Sequence, residues 1–169
     1  MRLAAFFTTI ATTSALAFAA QAAPLGPVSV VHVAIGPDLQ RQAKDYGQND
    51  LDDLAADLQD SVERALTRSG GLAAEGGTLE LVIEDAVPNR PTMRQMSTKP
   101  GLSYESFGIG GAKITGVLIT ADGRQTPVAY RWYETDIRWS QTAGTWMDAQ
   151  NTFDKFARWL ASDDAVDER

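Results

Sequence analysis

Two hydrophobic periods alternate along this chain, and the places where one gives way to the other mark its elements. Residues 28–35, VSVVHVAI, are apolar and β-branched on both alternating faces. That pattern predicts an interior strand covered at least partly on each side. Gly36-Pro37-Asp38 ends it, and a polar connection runs to Asn49. From there the period becomes helical. Leu51, Leu54, Ala55, Leu58, Val62, Ala65 and Leu66 fall on one stripe. Asn49 is the expected N-cap, with Asp50, Asp52 and Asp53 in the first turn and Arg64 and Arg68 toward the far end. Gly70-Gly71 stops the helix. Residues 78–87, TLELVIEDAV, alternate again. Leu79, Leu81, Ile83, Asp85 and Val87 are expected on one face, and the wetter set Thr78, Glu80, Val82, Glu84 and Ala86 on the other.

Pro88 opens a long polar segment. Strand text resumes at Lys113–Thr120, and Asp122-Gly123 marks a hairpin leading into residues 126–139. In that return strand the apolar set changes parity. Val128, Tyr130 and Trp132 share one face, whereas Tyr133, Ile137 and Trp139 share the other, which predicts a bulge near Glu134. A second amphipathic helix follows, with Trp146, Ala149, Phe153, Phe156, Ala157 and Leu160 on one side and Thr145 as N-cap. The order is β-α-β-β-β-α, and Tyr104–Phe107 is a candidate further strand. Each helix carries a single apolar stripe. The expectation is an α+β two-layer sandwich: a mixed four- to five-stranded sheet with two helices on one face.

The first residues change the picture of location. Met1-Arg2 is followed by an apolar run to Phe18, then by Ala20-Gln21-Ala22, a small-x-small site. This reads as a cleaved secretory signal, residues 1–22. The run is shorter than the ~20 residues a bilayer span requires. The expected organisation is a signal at 1–22, a single α+β domain at 23–162 and an acidic flexible tail at 163–169. Without cysteine there is no disulfide, no cysteine-built metal site and no lipid-bearing cysteine. A periplasmic or secreted protein with no membrane span after cleavage is expected. Removal of residues 1–22 leaves 14 basic against 22 acidic residues, a net charge of −8. That balance disfavours nucleic acid as a partner.

Candidate chemistry is sparse. Gly108, Gly110, Gly111 and Lys113 cluster, but they precede a strand instead of opening a helix, and no Gly-Lys-Ser/Thr occurs. The glycines therefore read as architecture. His32 is the sole histidine, and a hydrolase would have to use it with a serine or a carboxylate; the plainer reading is a partly buried strand histidine. The acids of residues 50–60 are threaded by stripe leucines and lack the glycine of a calcium loop. No cofactor and no metal ligand set is expected. Two features point to binding. Residues 88–107 place Asn89, Arg90, Arg94, Tyr104 and Phe107 on one long connection, a basic, aromatic-ended segment in an acidic chain. The parity change also requires some aromatics, with Trp132 and Trp139 as candidates, to point away from the helices.

The run from Leu79 through PNRPT, then SFGIGGAKITGVLITADG, a Tyr/Trp-rich strand and TWMDAQNTFDKFARWLA resembles the small uncharacterised α+β domains of Gram-negative envelope proteins, many of them lipoproteins. The resemblance spans most of residues 28–161 and implies an envelope location and a sandwich fold. The expected function is a non-enzymatic module that binds a cell-envelope protein partner. A small-ligand or glycan binder using exposed Trp and Tyr is the alternative, and a hydrolase using His32 the third reading.

Overall fold

The computed structural model describes residues 26–162. The expected signal and tail segments lie outside them. Four strands, β1 (Val28–Ile35), β2 (Gly77–Val87), β3 (Gly111–Ile119) and β4 (Gln125–Tyr133), form one sheet in the order β1-β2-β3-β4. β1 and β2 are parallel; β2–β3 and β3–β4 are antiparallel. Between β1 and β2 run two short helices, α1 (Pro37–Arg41) and α2 (Ala43–Tyr46), and the long α3 (Gln48–Ser69). α4 (Met93–Thr98) interrupts the β2–β3 connection, and α5 (Met147–Leu160) ends the fold. The mixed sheet with helices packed on it is the α+β architecture expected.

α3 forms because its stripe is apolar and its ends are signalled. Leu51, Leu54, Leu58, Val62, Ala65 and Leu66 are all buried. Gly70 adopts a left-handed conformation (φ 76°), and its N–H closes on Leu66 and Thr67 carbonyls. α5 buries Ala149, Phe153, Phe156, Ala157 and Leu160. α3 packs over β1, and α5 packs over β3 and β4. The helices touch in register. Trp146 Nε1 donates to Asp50 Oδ1 (2.8 Å), Gln150 Nε2 to Asp57 Oδ2 (2.7 Å) and Ser61 Oγ to Asp154 Oδ1 (3.0 Å). Both residue numbers rise together, so the helices run parallel and their C-terminal ends lie at the same end of the molecule. Each fully buried Leu or Phe in this layer stabilises the fold by about 1.5–3 kcal/mol.

Five local expectations are corrected. β1 is an edge strand, not an interior one. Val31 is buried beneath the helices, but Val30, His32 and Ala34 face outward on the uncovered side. β2 carries a bulge at Glu84: Ile83 pairs with Ile114, and Asp85 then pairs with Lys113. The extra residue reverses the faces, so Ala86 joins the core and Asp85 turns to the open face. No bulge is needed at Glu134, because β4 ends at Tyr133 and the chain leaves the sheet into a 3₁₀ turn, Ile137–Thr142. The Glu134 and Asp136 side chains bring this about by accepting the N–H groups of Thr135, Asp136 and Arg138. Tyr104–Phe107 is turn and irregular backbone, so the sheet has four strands. At the helix starts, Gly47 and Trp146 occupy the cap positions, one residue away from Gln48 and Met147, and neither Asn49 nor Thr145 does.

The two sheet edges differ chemically. The β3–β4 ladder runs unbroken through Val117 and Pro127. A proline is tolerated there only if its missing N–H faces away from β3. The outer side of β4 therefore lacks a donor at its third residue. β1 carries no proline and no formal charge, and on the side away from β2 no described strand lies alongside it beyond the Val28–Leu72 bridge.

Candidate functional site

The site is assembled where β2, β3 and β4 meet the N-terminus of α5. Two connections converge there, residues 88–110 and residues 134–146. Asn89, 1 % exposed, sits just after β2 and uses its polar groups to clamp them. Its N–H donates to Thr145 O (2.7 Å) and its carbonyl accepts from Gly108 N–H (2.8 Å). Its side chain makes a reciprocal pair with Asp148: Asn89 Nδ2 donates to Asp148 Oδ2 (2.5 Å), and Asp148 N–H donates to Asn89 Oδ1 (2.9 Å). Gly110 N–H also donates to Asp148 Oδ2 (3.0 Å). A buried carboxylate in the first turn of α5 thus ties that helix to both connections.

Arg90 works beside it. Its guanidinium donates to three backbone carbonyls: Ala143 O (2.7 Å), Tyr104 O (2.5 Å) and Gln141 O (2.5 Å). The Cζ atom lies 5.0 Å from the centroid of the Tyr104 ring. A nearly buried cation is stable here because its donors meet carbonyl acceptors, each such charge-assisted bond contributing about 1.5–3 kcal/mol. Thr92 and Gln95 form a reciprocal capping box that starts α4 within the same connection.

Outside this buried polar layer the same two connections expose large apolar side chains among polar ones such as Glu105 and Arg138. Tyr104, Phe107 and Ile109 are exposed on the first connection, and Ile137 and Trp139 on the second. Met93 opens α4 and Met147 opens α5. Together they make up seven of the nine exposed large apolar side chains among the described residues. Trp139 is 72 % exposed, a large cost in unburied indole unless something covers it. No protein-family model matches the chain, and no curated protein matches it.

Of the residues singled out by sequence, the structure leaves Tyr104 and Phe107 exposed on the first connection and Trp139 exposed on the second. It places Asn89 and Arg90 beneath them as scaffold, with their polar groups spent on the protein itself. Arg94 is exposed on α4 beside Met93, and its Nε donates to Lys44 O (3.3 Å). Trp132 faces the helix layer, where Lys155 Nζ sits 3.1 Å from its ring centroid and covers it. Burial holds the Lys155 ammonium below the ordinary lysine range. His32 is exposed, not partly buried, and among the described residues it bonds to no serine or carboxylate. Sequence reading did not put forward Ile109 or Asp148, and it noted Ile137 only as sharing a face with Trp139. The parity failure around Glu134 was the available signal for Ile137.

Tyr133 ends β4 on the open face and donates its hydroxyl to Asp85 Oδ2 (2.6 Å). Burial, reinforced by that carboxylate, raises the phenol's pKa well above the ordinary tyrosine value. A phenol whose pKa is raised by folding supports the fold fully below about pH 10, the unfolded value, and that support is lost as pH rises beyond it. In an alkaline titration read by tyrosinate absorbance, Tyr133→Phe is expected to remove one late-ionising phenol. The variant is also expected to show a shallower fall in stability above pH 10 than the wild type. An unchanged late titration would place the bond elsewhere.

Proposed function

We propose that this protein is an exported module of the cell envelope that binds a protein partner through the apolar end of its sheet. The carrying observation is the concentration of exposed Tyr104, Phe107, Ile109, Ile137 and Trp139 on two connections held from below by Arg90 and Asn89. A rigid aromatic surface loses little entropy when covered, and aromatic anchors of this kind dominate binding energy in protein interfaces. The secretory pattern of residues 1–22 supports the envelope location, with a mature chain starting at Ala23.

The test is a photo-crosslinking residue placed at position 139 in intact cells, with one at Gln125, at the opposite end of the sheet, as reference. One dominant protein adduct at position 139 and none at position 125 is the expected result. Identical adducts at both positions, or none at 139, would remove the reading. Trp139→Ala is expected to change folding stability by less than about 0.5 kcal/mol while abolishing the adduct captured from a neighbouring crosslinker at Phe107. The exposure of Trp139 also favours a second reading, stacking of a sugar ring. A fluorescence titration with peptidoglycan fragments that saturates in the wild type and is flat in Trp139→Ala would select it over a protein partner.

A further inference from the structure

At the opposite end of the helix layer, we propose that the groove between the C-terminal halves of α3 and α5 binds a small phosphate-type oxyanion. The groove has a volume of about 240 Å³ and is lined by Ser61, Arg64 and Arg68 of α3 and by Asp154, Ala157 and Arg158 of α5. Three arginines from two helices thus line one polar cleft. The chain holds 22 acidic against 15 basic residues, so carboxylates are in excess. Yet among the described residues none of these three arginines forms an ion pair; the salt bridges there use Arg41, Lys99, Arg124 and Arg138.

The neighbouring carboxylates are turned to neutral donors. Asp57 accepts from Gln150 (2.7 Å), Glu63 from Gln59 (2.8 Å) and Asp154 from Ser61 (3.0 Å). Arg64 Nη2 reaches only the Ser61 hydroxyl (3.2 Å). Asp60 and Glu63 line an adjoining groove with both Arg64 and Arg68, without forming an ion pair to either. Cations in the last turn of a helix are favoured by its dipole, which accounts for Arg68 and Arg158. That effect fades within one turn, and Arg64 lies further from the end at Ser69. Within the groove's own lining, three arginines against the single carboxylate of Asp154 leave a surplus of two positive charges. A tetrahedral dianion matches that surplus and can accept from more than one planar fork at once, whereas a monocarboxylate matches one.

The test uses the whole mature chain. Inorganic phosphate is titrated calorimetrically, with acetate as the comparison anion. Saturable phosphate binding is expected, with acetate at least about tenfold weaker and phosphate affinity falling as sodium chloride is raised. Arg64→Gln and Arg158→Gln are each expected to weaken phosphate by about tenfold, because each removes a charge-assisted pair of donors. Arg41→Gln, in α1 ahead of the N-terminal end of α3, should leave affinity unchanged. Since the three groove arginines are exposed, thermal unfolding of the variants should match the wild type and exclude misfolding as the cause. Absence of saturable binding in the millimolar range, or equal affinity in Arg64→Gln and Arg158→Gln, would overturn the proposal. Neither result bears on the apolar surface at the other end.

Discussion

Replacing Arg90 by alanine is expected to cost about 4 kcal/mol of folding stability, a large share of the 5–15 kcal/mol a domain of this size commands. The mutation deletes one side chain but strands three carbonyls, those of Tyr104, Gln141 and Ala143, in buried or half-buried positions. An acceptor left without a partner in such a setting carries its full desolvation penalty, about 1–3 kcal/mol. Arg90→Met separates the two contributions, since it keeps most of the apolar stem and none of the donors. It should lose nearly as much as alanine. Arg90→Lys should recover less than half, because one ammonium group cannot serve three carbonyls spaced for a planar fork. Urea unfolding gives the stability, and hydrogen exchange gives its location. Amides of residues 102–110 and 137–146 should exchange faster than those of α3. A loss below about 1 kcal/mol would mean that the carbonyls find water and that the connections are not held from below.

Gly111→Ala is expected to be nearly as severe, about 3 kcal/mol or more, and for a different reason. A Cβ at Gly111 would lie 2.6 Å from Tyr133 Cα and 2.7 Å from its ring, and closer still to the Trp132 carbonyl oxygen. These are atoms of the neighbouring strand, so the chain can relieve the overlap only by parting β3 from β4 or by shifting the register. Gly110 is similar, since its Cβ would fall 2.6 Å from Val87 O and 2.9 Å from Asn89 Oδ1. Gly108→Ala is the internal control. No atom lies within 4 Å of its added Cβ, so the change should be within about 0.5 kcal/mol of wild type. Thermal unfolding of the three variants answers what the glycine cluster is for. A stable Gly111→Ala protein would refute the close-approach account.

The two long helices, α3 and α5, were legible in the sequence because several independent signals coincide at each, whereas the short α1, α2 and α4 fall in stretches that read as polar connections. In α3 the stripe of leucines, the acids of the first turn and the left-handed Gly70 agree. What the sequence could not convey is which neighbours a strand has. VSVVHVAI is apolar on both faces, and that composition describes an interior strand, yet the order of pairing puts β1 on the rim with Val30 and Ala34 facing outward. Alternation in β2 failed beyond Ile83 because one extra residue, Glu84, reverses every later side chain. The candidate site was half legible. Tyr104, Phe107 and Trp139 could be named from composition and parity. The inward turn of Asn89 and Arg90 could not, because it depends on Asp148, Ala143 and Gln141, which are more than fifty positions away in the chain.

The proline in β4 has a consequence for how this protein behaves when crowded. Stacking of β-structures into long fibres requires a template at both flanks of each unit, so that every newcomer offers a fresh docking line to the next. Here one flank, along Val31–Ile35, presents amides and carbonyls to any newcomer, while the opposite flank is broken at Pro127. Two molecules that join by their open flanks expose only the broken ones. Propagation beyond a single addition is then disfavoured, and the Val-rich strand is tolerated without a charged guard of its own.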